Sequence, residues 1–270
     1  MGFLSGLAAC ALLSSPAPPV DLGLALEHMV DHVELAYSAN RPVKPVFTDM
    51  RSLVEQWGDQ DAVTRERLLR AIADLEARCA RAKMALADTM RLQAQVTDAR
   101  LDLELRRLWT AARERGATRA ELERVADLLR HRAEVAKQPT DISRRVDAAF
   151  QELMVKAGKA GALTATELSA FEDVDVMARL DRALVWLEEL AVERRATREQ
   201  FLRVSDLMDD RARIWQKDTE LQNHVAQVKQ QVDRLMDRIM QSGTVDRAEF
   251  ERLRETCMTR ARAAAFDPGN

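Results

Sequence analysis

His28 and His32 stand four residues apart, with Glu27, Asp31 and Glu34 beside them. On a helix that spacing puts both imidazoles on one face, where they could grip a transition metal. A third ligand has no obvious source, because His131 and His224 are isolated and carry no partner pattern. Met29, Val33 and Ala36 fall on the opposite face, so the pair reads as the polar side of an amphipathic helix. Two other stretches, Gly161 to Glu167 and Gly243 to Glu249, copy the second half of an EF-hand calcium loop: Gly, an apolar residue two on, Glu six on. Their first halves offer Lys156, Gly158 and Ala160, or Arg238, Met240 and Ser242, where oxygen ligands belong. Each pattern then reduces to helix stop, turn and N-cap.

Adjacent carboxylates occur at Glu188-Glu189 and Asp209-Asp210. Neighbours on a helix point about 100° apart, so neither pair shares a site. The chain has no GxSxG, no P-loop and no GxGxxG, and its glycines fall at helix ends. The cysteines are Cys10, Cys79 and Cys257, with no CxxC. Cys79 falls on an apolar helical stripe, the place of a small buried hydrophobe. Trp57, Trp109, Trp186 and Trp215 lie near helix ends and read as packing anchors. The sequence thus assigns no catalytic, cofactor-binding or metal-ligating residue, and the expectation is a non-enzymatic protein.

The elements that must carry these residues are helices. Apolar residues make up 47% of the 270 residues and charged ones 31%, enough for both a core and a solvated surface. Aromatics are only 4%, and Leu, Ala, Val, Met, Arg and Glu dominate. No Gly or Pro interrupts the 57 residues from Asp59 to Arg115 or the 81 from Ala162 to Ser242. Sheets need turns far more often. Net charge is −3, and Arg alternates with Glu and Asp without a basic stripe, which argues against nucleic acid as a partner.

Breakers and caps set the expected helices. The first runs from Asp21 to Ala39, and the second from Pro45 to Trp57. A long third runs from Thr64 to Arg115. Thr118 with Glu121 opens the fourth, which Pro139 closes, and Asp141 caps a fifth that stops near Gly158 to Gly161. Thr164 with Glu167 opens the sixth. Arg195-Ala196-Thr197 is either a tight turn or a continuation. Gly243 ends the penultimate helix, and Asp246 with Glu249 opens the last, which fades by Phe266. Two apolar seams step by alternating four and three residues: Leu68, Ile72, Leu75, Cys79, Ala82, Leu86, and Leu221, Val225, Val228, Val232, Leu235, Ile239. That is coiled-coil spacing, and each seam needs a partner helix. The final helix, with Phe250, Leu253 and Met258, can cover only half of the second seam, so Leu221 to Val228 must be completed elsewhere in the chain or by a second molecule.

The chain also contains a copy of itself. Residues 99–134 align without a gap onto 178–213, with 18 of 36 positions identical, where chance gives roughly one in ten. A third, decayed copy places Leu22, Leu26 and Met29 opposite Leu101, Leu105 and Leu108. The expected architecture is all-α: an elongated antiparallel helical bundle of helical-hairpin repeats, joined by long coiled-coil-like helices. Its units are a tail over 1–20 and helical units over 21–98, 99–177 and 178–270.

The tail, MGFLSGLAACALLSSPAPPV, carries no charge. Leu7-Ala8-Ala9-Cys10 looks like a lipobox, although no Lys or Arg precedes it and nine residues are few for a signal. The alternative is an apolar tail and Pro-rich linker, which slightly favours the cytoplasm over a periplasmic or membrane-anchored location. A membrane is a partner only if this segment is a lipid anchor. The functional expectation is a non-enzymatic helical scaffold or assembly subunit that presents long helix faces to other proteins or to itself. The alternative is an envelope-associated helical protein that binds a client.

Overall fold

The computed structural model describes the backbone of residues 21–135, 140–160 and 163–265. The tail over 1–20, with Cys10 and the lipobox pattern, lies outside the described residues, as do Pro139 and Gly161. The described residues form ten α-helices and no strand: α1 (Leu22–Ser38), α2 (Lys44–Gln56), α3 (Ala62–Ala80), α4 (Leu86–Glu114), α5 (Arg119–Val135), α6 (Thr140–Ala160), α7 (Ala165–Val192), α8 (Arg198–Ile214), α9 (Thr219–Ser242) and α10 (Arg247–Ala265). The all-α reading holds, and neighbouring helices pack as bundles.

Most ends follow the caps. Asp21, Asp61 and Asp218 each accept the backbone N–H three residues on. Thr164 and Glu167 close a reciprocal capping box at the head of α7. Gly243 ends α9 in the left-handed region. Asp141 lies one residue inside α6 and does not precede it.

The expected third helix is two. It stops at Ala80, and α4 begins at Leu86. Lys83 N–H bonds to Arg78 C=O and Ala82 N–H to Cys79 C=O, with Ala82 at φ 54°. That is a Schellman stop, normally marked by Gly at the left-handed position. Asp88 then accepts the Ala85 N–H at 2.8 Å and steadies the new helix. Leu86, placed on the α3 seam by spacing, is exposed, whereas Leu68, Ile72, Leu75 and Cys79 are buried. Arg195-Ala196-Thr197 is a turn of the same kind, with Arg194 at φ 54°.

Three apolar cores result. The first joins α1, α2 and α3 to the opening half of α4, through Leu26, Phe47, Leu68 and Val96 among others. The second joins the closing half of α4 to α5, α6 and the start of α7, through Leu105, Leu122, Phe150 and Phe171. The third joins the rest of α7 to α8, α9 and α10, through Leu187, Leu207, Val228 and Leu253. So α4, of 29 residues, and α7, of 28, each serve two cores. The α9 seam is buried along its length in the third core, packed against α8 and α10 of the same chain, so its Leu221 to Val228 half is completed internally. In addition α3 packs against α8 and α4 against α7, which brings the first and third groups of helices into contact.

Candidate functional site

Where the three cores meet, the packing changes character. On α4 the change comes between Ala99, in the first core, and Leu101, in the second. On α7 it comes between Met177 and Ala178, which serve the third and second cores. Both places carry acids and arginines where a core residue would be expected. Asp98 on α4 is 1% exposed and sits among four arginines from three helices. Arg182 donates to both of its oxygens at 3.2 and 2.9 Å, and Arg203 to one at 3.0 Å. Arg132 and Arg179 lie 3.6 and 3.4 Å away. Burial alone would raise the Asp98 carboxyl, but Arg182, Arg179, Arg132 and Arg203 outweigh it and hold it far below the usual carboxylate range.

The network extends both ways. Arg179 donates to Asp102 at 2.6 Å and pairs with Asp175 at 2.6 Å. Arg132 pairs with Asp175 at 2.5 Å. Arg67 on α3 reaches Asp102 at 3.3 Å and Asp210 on α8 at 3.4 Å. Thus α3, α4, α5, α7 and α8 are tied by charge at one place. Removing a single partner from such a cluster leaves a buried charge unmatched, at a cost of about 3–5 kcal/mol.

Buried guanidinium nitrogens of Arg67, Arg91, Arg182 and Arg203 make no hydrogen bond, while Arg132 and Arg179 face Asp175 as ion pairs without hydrogen-bond geometry. Burial and the nearby Arg67 lower the Arg203 guanidinium to about 10, with Asp98 opposing. Two clefts open beside the network. One, between α3, α4, α7 and α8, is lined by Arg70, Arg78, Arg91, Arg182, Arg203 and Trp186 among others. Arg91 and Arg182 both lie over the Trp186 ring, 5.6 and 5.4 Å from its centroid. The other is lined by Asp61, Asp102, Glu172, Asp175 and Asp210, with Arg106, Arg213 and Lys217. There burial, with Asp102 and Asp175 nearby, pushes the Glu172 carboxyl up to about 7.

Of the residues singled out by sequence, Trp186 and Asp210 fall at the network and its clefts, and the histidines and cysteines lie elsewhere. His28 and His32 are exposed on α1. No group of three or more His, Cys, Asp or Glu suited to a metal occurs among the described residues. His131 instead approaches Glu27 at 3.2 Å and links α5 to α1. Asp209 pairs with Lys229 and Asp210 with Arg67, so the adjacent acids do face different partners. Cys79 and Cys257 are buried free thiols in separate cores, pushed up by burial to about 11 and about 12. Trp57 is a core residue, Trp109 lies under Arg113, and Trp215 packs against the third core.

No helix among the described residues is long and apolar enough to cross a membrane. Comparison of the chain with protein-family models, with curated protein sequences and with solved structures finds no significant match, so the reading of this site rests on its own residues.

Proposed function

We propose that this chain is a non-enzymatic helical scaffold or assembly subunit that works through protein–protein contacts on its outer helix faces. The observation in favour is the sharing of α4 and α7 between successive cores, with the Asp98 network keying five helices together. A body braced in this way holds its outer faces at fixed spacing, which is what a platform for partners requires. The α9 seam is occupied within the chain, so contact falls to outward faces. Candidates are the polar side of α9, with Asn223, Gln227, Gln230 and Gln231, and the side of α1 that exposes Leu24 and Leu35.

The test has two parts. Light scattering on the purified protein at up to about 100 μM reads self-association. Capture from the native source, followed by reconstitution with each purified candidate, reads hetero-association. A defined stoichiometric complex of either kind supports the proposal. A monomer that forms no reconstituted complex overturns it.

A further inference from the structure

The cleft between α3, α4, α7 and α8 is lined by seven arginines. Three of them each keep a buried guanidinium nitrogen without an acceptor. Arg182, 5% exposed, spends Nη2 on Asp98 and leaves Nη1 buried without an acceptor. Arg203, 9% exposed, does the same with its own Nη2 and Nη1. Arg91, 10% exposed, spends Nη1 on Asp88 at 2.9 Å and Nη2 on Glu189 at 3.7 Å, and leaves Nε without one. Unmet buried donors are costly, and they are uncommon in folded proteins.

Arg91 and Arg182 both lie over the Trp186 indole, so two like charges share one ring. Of the arginines that line the cleft, Arg67 and Arg179 are matched by Asp102, Asp175 and Asp210 outside it, whereas Arg91, Arg182 and Arg203 each keep a buried N–H group without an acceptor. A tetrahedral oxyanion would give acceptors to these three N–H groups. Guanidinium groups suit phosphate oxygens in geometry as well as charge. The five interleaved carboxylates, Asp74, Asp88, Asp98, Glu199 and Asp206, repel an extended polyanion, so a nucleic-acid strand does not fit the same cleft.

We infer that this cleft binds a phosphate group, either inorganic phosphate or the phosphoryl group of a small phosphomonoester, through Arg91 and Arg182 beside Trp186 and through Arg203. The inference does not depend on the scaffold reading.

The probes are inorganic phosphate and glycerol 3-phosphate, titrated calorimetrically into the full chain at pH 7.5. Chloride holds the ionic strength constant. Saturable binding with one site per chain is expected for at least one probe. Tighter binding of glycerol 3-phosphate identifies a phosphomonoester as the ligand class. Equal or weaker binding identifies phosphate itself. Arg91→Gln, at the edge of the network, should raise Kd about tenfold or more, as expected for loss of one charge-assisted contact. Trp186→Phe keeps a ring beneath the guanidinium groups. It should bind within about threefold of the parent while losing the tryptophan emission change that accompanies binding. No saturable heat beyond the chloride control, with either probe, overturns the inference. Unchanged affinity in Arg91→Gln, or an emission change that survives Trp186→Phe, overturns it too.

Discussion

The helices α9 and α4 bury their inner faces in different ways. Along α9 the buried residues are Leu221, Val225, Val228, Val232, Leu235 and Ile239, every one apolar. In the middle of α4 burial runs unbroken from Val96 to Ala99, and it takes in Thr97 and Asp98. Apolar contacts are non-directional and can be lost a methyl group at a time. A charge cluster is conditional on every member, because each charge is tolerable only while its partners stand. The seam therefore gives stability in small increments. The junction gives a fixed arrangement of five helices that fails abruptly.

The largest effect should come from Asp98→Ala, which strips Arg182 and Arg203 of their shared acceptor. Urea unfolding should show a loss of about 3–5 kcal/mol. A loss under about 1 kcal/mol would mean that water replaces the carboxylate easily and that the two regions do not differ in kind. The sign of the pH dependence is fixed by the depressed Asp98 carboxyl. Its contribution is present above the ordinary carboxylate range and is lost as pH falls through its lower folded value.

Val225→Asp puts a charge into the apolar seam and should cost about 2–4 kcal/mol. Thermal melting reads the loss. Because α8 and α10 supply the partners, an unchanged melting temperature would contradict the internal packing of α9.

Glu172→Gln sharpens the contrast from the other direction. The Glu172 carboxyl stands at about 7, above its usual 4.5, so the native state holds a proton that the unfolded chain has released. Its favourable contribution is full below about 4.5 and is lost as pH rises to about 7. At pH 8 the amide should stabilise the protein by about 1–3 kcal/mol and at pH 4 hardly at all. Equal shifts at both values would leave no role for the carboxyl proton.

The smallest effects separate the repeated turns. Thr118 Oγ1 accepts the Glu121 N–H at 3.3 Å, so Thr118→Ala should cost about 1 kcal/mol. The Thr197 side chain caps no backbone N–H, and its hydroxyl donates to Gln200 at 2.5 Å. Thr197→Ala should cost less, and equal losses by denaturant titration would dissolve the distinction.

The apolar half of the molecule was legible because its signals are local. A seam of period three and four can be read from one helix, and so can a Thr-x-x-Glu box. The break between α3 and α4 was not legible, since Ala82 takes the left-handed position without glycine to mark it. The charged junction was hidden for a different reason. Arg67, Asp98, Arg132, Arg179 and Arg203 come from five helices, and a buried arginine is written with the same letter as a solvated one. One trace was present. Among the identities between residues 99–134 and 178–213 are Arg100 with Arg179 and Arg132 with Arg211, and all four are largely buried.

The sharing of α4 and α7 has a consequence for how the chain comes into being. During synthesis the first half of α4 emerges after α1, α2 and α3, and can close their core at once. Its second half must wait for α5 and α6, and α7 repeats the delay one step later. Each core thus leaves an unfinished helix as the template for the next, and Asp98 meets Arg182 only after α7, and Arg203 only after α8, has left the ribosome. Assembly is ordered from the N-terminus by geometry, and the charged junction closes late.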